Sequence, residues 1–334
     1  MHVVNELNRA TWNDFVEKHP DANVFHTPEM FEVFRRARGF APSLWAVMGD
    51  KAQVLALLLP VRVTILGAGL QPFTTRAVVY GSVLSAAGEE GREALALLLR
   101  TYRQRMKGRL LFTELRHLCE MGESGRILNE QGFEHEEHLN FLIDLNQPLQ
   151  QIWRNIRDTG RHSISKARYS GVAVEEVTTP DELAAAYSIL KDVYRRVQVP
   201  LADRSLFDAA LQVLRPKGML RLVVASVDGQ RIGTLVLLLY KGVVYEWYTG
   251  ALREFAKYQT GEFLVWHALE WGSQNGFQTF DFGGAGRPDE EYGVRDFKAK
   301  FGGQLVNFGR NRCVHAPLRL RLSQGGYQLL RRFL

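Results

Sequence analysis

Three side chains in the second half of the chain have the chemistry of a site that handles protons and charge. Lys298 follows the glycine-rich loop Gly283-Gly284-Ala285-Gly286, where an ammonium reaches a carbonyl oxygen or a phosphate; otherwise it is a lysine on a basic surface. Glu246 sits in the apolar run Val243–Thr249. Buried there, its carboxylate would have a raised pKa and suit a general base; partly exposed, it would be ordinary. Asp281 stands between Phe280 and Phe282 at the end of a short strand, either to accept a proton or to cap the loop that follows. Strand alternation places Val244, Glu246 and Tyr248 on one face, with Tyr245, Trp247 and Thr249 on the other. Phe297, beside Lys298, reads as an aromatic wall or as core. Gly283 and Gly284 allow close approach of a phosphate to backbone N–H groups. No helix with a correctly placed third glycine follows, so this is not a dinucleotide fingerprint.

The charge is uneven. The net charge is +6, yet from Phe297 onward there are eight basic residues and no acid, and Gln151–Ser170 holds five against Asp158 alone. Such segments fit a polyanionic partner (nucleic acid, a diphosphate or an anionic membrane face) or two solvated basic faces. Arg157, Arg161, Lys166 and Arg168 have the forks and ammonium to grip a diphosphate, or form a solvated linker. His135-Glu136-Glu137-His138 lacks the His-Glu-x-x-His spacing and runs into a strand, so no metal is expected. No Ser-His-Asp triad is visible. Cys119 and Cys313 make neither a disulfide framework nor a zinc site, which points to a reducing compartment.

The elements that must position these residues read as two similar halves. With 46% apolar and 23% charged residues the composition is globular, which excludes disordered, collagenous and coiled-coil classes. In the first half the spacing predicts helices at Thr11–Lys18, Thr27–Arg38 (Thr27 capping, Pro28 in the first turn) and Glu89–Lys107. A hairpin over Ser43–Leu59 and strands at Leu110–Arg116 and Asn140–Asp144 complete it. The second half predicts a helix around Ile152, a strand at Val172–Val177, and helices after Pro180 and around Phe207. A meander follows (Leu220–Val227, Ile232–Tyr240, Val243–Thr249), then a helix at Glu262–Trp271 and a strand at Thr279–Phe282. This order predicts a duplicated α/β (α+β) fold with its boundary near Asn146–Pro148: domains at 1–146 and 147–316, with a basic tail at 317–334. The longest apolar stretch, around Val54–Val61, is short of the ~20 residues that span a bilayer, and no signal peptide is expected. The expectation is a cytoplasmic protein.

The stretch from Tyr245 to Gly303 resembles the FemABX family of peptidyl and aminoacyl transferases, within the GNAT-like acyltransferase superfamily. The residues that carry it are Tyr248–Ala251 in part, Leu264-Val265-Trp266, Phe280-Asp281-Phe282-Gly283, and Gly293 through Phe297-Lys298 to Phe301-Gly302. The basic element Arg161–Gly171 is similar to the family's Arg-x-x-Ile-x-Lys-Ala, and with Tyr80–Leu84 the resemblance covers most of the chain. It implies two tandem GNAT-like domains, each a mixed, largely antiparallel sheet flanked by helices, with a cleft between them. It also implies amide formation on an amine of a cell-wall or lipid-linked precursor, with aminoacyl-tRNA as co-substrate and no bound cofactor. Lys298 would then stabilise charge, Glu246 or Asp281 manage the proton, and Arg161, Lys166 and Arg168 hold phosphate, with Tyr248, Phe297, Gly283 and Gly284 lining the substrate.

Two departures keep other donors open. The helical-hairpin arm of some members is missing, and no first-domain lysine for substrate phosphate is found, only Arg35, Arg36 or Arg38. An acyl-CoA-dependent N-acyltransferase acting on exopolysaccharide or a small amine is the alternative, although the usual pyrophosphate motif is not clean around Arg253–Gly261. A third is an inactive tRNA- or membrane-binding relative. The tail Leu318–Leu334, with Arg319, Arg321, Tyr327, Leu330, Arg331, Arg332, Phe333 and Leu334, either rests on an anionic inner membrane face or packs on the first domain.

Overall fold

A computed structural model describes residues 1–64 and 71–331. The first unit opens with β1 (His2–Val4), α1 (Arg9–Lys18), α2 (Pro28–Arg36), β2 (Phe40–Pro42), β3 (Trp45–Met48), β4 (Val54–Leu58) and β5 (Val61–Thr64). It continues through α3 (Gln71–Thr74), β6 (Thr75–Tyr80), β7 (Leu84–Ser85), α4 (Glu89–Met106), β8 (Phe112–Arg116), α5 (Gly122–Glu130) and β9 (Glu134–Glu136). Thr27 caps α2 as expected: its hydroxyl oxygen accepts from the Met30 N–H at 3.1 Å, and Pro28 fills the first turn. Two sheets form, ordered β1-β3-β4-β7 and β2-β5-β6-β8-β17-β9. Against them α4 buries Leu95, Leu98, Leu99 and Tyr102, as its spacing predicts.

The second unit runs β10 (Leu139–Asp144), α6 (Leu149–Asn155), α7 (Asp158–Tyr169), β11 (Ala173–Glu176), α8 (Pro180–Arg196) and α9 (Arg204–Val213). The meander β12 (Leu220–Val227), β13 (Gln230–Tyr240) and β14 (Val243–Ala251) follows, then α10 (Thr260–Gln274), β15 (Thr279–Gly284), α11 (Gly293–Ala299) and β16 (Gln304–Asn307). Its single sheet has the order β11-β12-β13-β14-β15-β10-β16, and the β14–β15 pair is parallel because α10 carries the chain back across the sheet. The first unit repeats this device with parallel β6 and β8 on either side of α4. Phe280, Phe282 and Phe301 are fully buried in the second core, each burial being worth roughly 1.5–3 kcal/mol.

Two boundaries differ from the sequence reading. The compact units are Met1–Glu137 with Phe308 onward, and His138–Asn307. The strand Leu139–Asp144 therefore opens the second unit instead of closing the first. Leu139, Phe141 and Ile143 enter the second core, and β10 pairs with both β15 and β16. After β16 the chain returns to the first unit as β17 (Arg310–Val314), between β8 and β9, and α12 (Pro317–Arg331). Along α12, the Ser323 hydroxyl donates to the Phe73 carbonyl at 2.6 Å and Arg319 donates to the Gly108 carbonyl, while Leu318 and Leu322 stay exposed. Arg332, Phe333 and Leu334 lie outside the described residues, as do the side chains of Tyr327, Leu330 and Arg331. Among the described residues no helix is long and apolar enough to cross a membrane.

Candidate active site

The strands β14 and β15 pair only at Val243–Thr279, Val244–Phe280 and Tyr245–Asp281, and then part. Glu246 is the next residue on one strand, and Asp281 is the last paired residue on the other. Lys298 comes to the same place from α11. The three are buried, at 8%, 4% and 6% exposure.

Lys298 is neither a surface lysine nor open to a ligand. Its ammonium donates to the carbonyls of Phe282 at 2.7 Å, Gly284 at 2.8 Å and Gly283 at 3.3 Å, which uses all three protons. The chain turns its carbonyls this way because Gly283 has φ +68°, and a Cβ there would lie 3.3 Å from the Tyr245 hydroxyl oxygen. Lys298 therefore fixes the end of β15 and places a positive charge beneath the two carboxylates. The same turn overturns the expected phosphate cradle. The Gly283 N–H donates to Asp281 Oδ1 at 2.7 Å, and the Ala285 N–H to the Leu139 carbonyl at 2.7 Å.

Asp281 takes the capping role. Besides the Gly283 N–H, its Oδ1 accepts from Asn140 Nδ2 at 2.8 Å. Burial pushes its pKa up to about 6, against the opposing pull of these hydrogen bonds and of Lys298. Asn140 is a positioning residue that sequence reasoning missed; its signal is a lone amide in the apolar strand LNFLID.

Glu246 is the group with nothing to hold. Its Oε2 is buried without a hydrogen-bond partner. Burial pushes the carboxyl up to about 7, Lys298 opposes this, and Asp281 adds to it. The carboxylate is thus poised to change protonation near neutral pH. Tyr194 of α8 senses it in turn: burial first, then the charge of Glu246 and the presence of Tyr292, push that phenol up to about 12.

The expected alternation on β14 breaks after Glu246. Glu246 opposes Leu237 but Tyr248 opposes Val236, so one extra residue is bulged out at this point. The rings of Trp247 and Tyr248 both turn toward Phe207 of α9, at 6.0 and 4.8 Å between centroids, instead of to opposite faces. Tyr248 also stands 5.8 Å from the Tyr194 ring.

The remaining candidates lie apart from this cluster. Phe297 is half-buried on the second core, 5.5 Å from the Phe301 ring, with the Lys300 ammonium 5.5 Å from its own centroid. The basic element is a helix, α7. Arg161 is spent inside it, donating to the Arg154 carbonyl at 2.9 Å, the Ile156 carbonyl at 2.6 Å and the Asp158 carboxylate. A phosphate grip by Arg161 is thereby replaced by closure of the α6–α7 joint. Lys166 and Arg168 lie on the exposed face of α7 and share no contact with the cluster. His135 and His138 fall in different units, and among the described residues no group of three or more His, Cys, Asp or Glu side chains is placed to hold a metal ion.

Comparison with known proteins bears on the fold. Residues 154–298 match the family model of the GNAT acetyltransferase domain, ending on Lys298. The fold of the chain is similar to that of FemX, at 15% identity over 97% of this chain and 100% of that one, with a TM-score of 0.73. It is also similar to L-PGS from Bacillus licheniformis, at 12% identity over 97% and 98% with a TM-score of 0.62. A third is a tandem GNAT protein from the clavulanic acid biosynthesis pathway, at 15% identity over 95% and 99% with a TM-score of 0.60. These likenesses are of fold. No curated protein matches in sequence.

Proposed function

We propose that this chain, similar in fold to FemX and to a tandem GNAT protein and matching the GNAT domain model over residues 154–298, is an N-acyltransferase that joins an aminoacyl group to an amine. The observation that carries this reading is Glu246, a buried and unpartnered carboxylate poised near neutral pH where β14 and β15 part. Amine acylation needs the ammonium to lose a proton before nitrogen attacks the carbonyl carbon. Glu246 takes that proton. As the C–N bond forms and the ester C–O bond breaks, the nitrogen's second proton passes to the leaving oxygen. The bulge after Glu246 takes a residue out of the regular strand register, and a backbone N–H at that point suits the developing oxyanion. Asp281 and Lys298 hold the end of β15 in place.

The donor in this reading is aminoacyl-tRNA, with the exposed Lys166 and Arg168 of α7 on the polyanion; the acceptor is an amine on a cell-wall or lipid-linked precursor. The similarity in fold to FemX and L-PGS supports both choices. A lipid-linked acceptor also suits a cytoplasmic protein resting on the inner membrane face, where α12 presents Leu318 and Leu322 to solvent beside Arg321. A second reading, an acyl-CoA donor, is favoured by the acetyltransferase match and by α10, which starts just after β14 with no side-chain cap. Donor trials decide between them. Transfer of labelled amino acid from total charged tRNA to a lipid extract, abolished by RNase, is expected. RNase-insensitive transfer with release of free CoA thiol establishes the second reading. Binding of tRNA without turnover from either donor removes both and leaves a binding protein.

A further inference from the structure

We infer that the end of the first unit where α12 meets the last turn of α4 is a docking surface for an anionic lipid bilayer. The inference extends the acyltransferase reading, on which it rests for a lipid-linked acceptor, by naming the surface and the class of lipid. Spacing along α12 separates two faces. Arg319 and Ser323, four residues apart, face the protein. Arg319 donates to the Gly108 carbonyl, and the Ser323 hydroxyl donates to the Phe73 carbonyl at 2.6 Å. Leu318 and Leu322, also four apart, lie about 100° round the helix from these anchors, 75% and 66% exposed. Arg321 is exposed between them. A helix seated by one face thus holds two leucines in water on another, at a free-energy cost that burial recovers.

The contact at Gly108 joins this helix to a second source of charge. Gly108 follows the last turn of α4, and Arg105, Lys107 and Arg109 stand exposed on either side of it. No acid occurs in residues 100–113 or from 308 onward. Arg105, Lys107, Arg109 and Arg321 have no carboxylate partner among the described residues. With Arg319 they set positive charge around two exposed leucines. That combination selects the partner. Nucleic acid would take the charges at its phosphates but leave the leucines in water. An apolar protein surface would cover the leucines and desolvate unpaired cations. A bilayer with anionic headgroups meets both needs. The leucines enter the acyl boundary, while the guanidinium and ammonium groups stay among the phosphates on their apolar stems. The helix α12 then lies in the plane of the headgroups.

Flotation of the full chain with lipid vesicles tests this without donor or acceptor. Vesicles of phosphatidylcholine containing about a third phosphatidylglycerol bind the protein, phosphatidylcholine alone does not, and added salt weakens the binding. Each basic residue near an anionic leaflet is worth roughly fivefold, so the triple variant Arg105→Gln, Lys107→Gln, Arg109→Gln lowers the partition coefficient roughly a hundredfold. The double variant Leu318→Ser, Leu322→Ser keeps every charge and still lowers it about tenfold or more, while filter retention of total tRNA is unchanged. All five positions are exposed, and a thermal melt verifies that both variants are folded. The wild-type lipid and salt series needs no variant. Equal binding to both kinds of vesicle, binding to neither, or undiminished vesicle binding by the folded leucine variant overturns the inference. So does a wild-type dimer in sedimentation velocity that the leucine variant dissolves, which gives the leucines to a second copy. Loss of tRNA retention in the triple variant, with vesicles unbound by wild type, overturns it in favour of nucleic acid. Vesicle binding without acyl transfer from either donor removes the transferase reading and leaves the docking surface. Transfer to a lipid extract by protein that does not bind vesicles does the reverse.

Discussion

At the residue scale, a buried carboxylate without a partner makes folding less favourable wherever it is ionised, and Glu246 offers a direct measure of that. Its folded pKa of about 7 lies above the ordinary value, so the folded state holds the proton more tightly than the unfolded chain does. Stability therefore falls as pH rises from about 4.5 to about 7, and stays low above that. Glu246→Gln removes the penalty. Denaturant titrations should show it equal to wild type at pH 4 and more stable at pH 8 by about 3 kcal/mol, while kcat/KM falls roughly 10²–10³-fold. The same stability difference at both pH values would show that Glu246 is not titrating in the folded protein. Lys298 acts in the opposite sense, since its ammonium opposes the rise at Glu246. Lys298→Met should move the acidic limb of the pH–rate profile upward by about one unit or more and destabilise the fold through the three lost hydrogen bonds. The types of these residues were legible in the sequence, but their partners were not. That Lys298 binds three carbonyls follows from a left-handed turn at Gly283, and a glycine in a loop does not announce which way its neighbours' carbonyls point.

At the scale of elements, the site is shaped by one bulge and by two glycines. The paired strands, the α4 and α10 helices and the meander were readable from apolar spacing, because burial against one face imposes that spacing. The bulge that brings Trp247 and Tyr248 together was not, since it leaves the apolar pattern of β14 unchanged and shows only in the register against β13. Nor was the fate of Arg161, since a basic residue at a helix joint has the same appearance whether it faces a phosphate or nearby carbonyls. Gly302 and Gly283 both have positive φ, at +73° and +68°, yet they are predicted to differ. A Cβ at Gly302 would meet the Asn155 carbonyl oxygen at 2.1 Å, backbone against backbone, where neither side can yield. At Gly283 it meets a tyrosine hydroxyl that can turn away. Gly302→Ala should cost more than ~3 kcal/mol by separating α11 and β16 from α6. Gly283→Ala should cost about 1–2 kcal/mol and act mainly on kcat through the misplaced Lys298 cage. Similar losses from the two in a thermal melt would show that the α6 contact is not rigid.

At the scale of the whole molecule, the first unit depends on the far end of the chain, which no local pattern in the sequence reveals. The strand β17 lies inside the six-stranded sheet, and its side chains and that of His315, the residue after it, complete buried networks. Asn311 Oδ1 accepts from His117 Nε2 at 2.7 Å, while His117 Nδ1 accepts from the Ser82 hydroxyl at 2.8 Å. His315 bonds the Thr113 hydroxyl at 2.8 Å, which in turn meets the Tyr102 hydroxyl at 2.9 Å. Arg310 and Arg312, with Arg116, surround the buried Glu114 at 3.4, 3.1 and 2.8 Å. Ending the chain at Asn307 should therefore unfold the first unit and leave the second, whose seven strands all lie within His138–Asn307. Acid should separate the units in the same order. Despite its burial, the three arginines hold Glu114 at about 2, so its contribution is present above pH 4.5 and lost as pH falls toward 2. Burial holds His117 at about 4, so its contribution is present above pH 6.5 and is lost as pH falls toward 4. In the second unit burial likewise holds His267 at about 4, but Glu246 and Asp281 sit at about 7 and 6, so protonating these two carboxylates on acidification offsets that loss. Amide hydrogen exchange followed from pH 7 down to pH 4 should show β6, β8 and β17 losing protection while β13–β15 keep theirs. Loss of protection in both units at the same pH would mean that they unfold as one, and that the returning strand matters no more than any other.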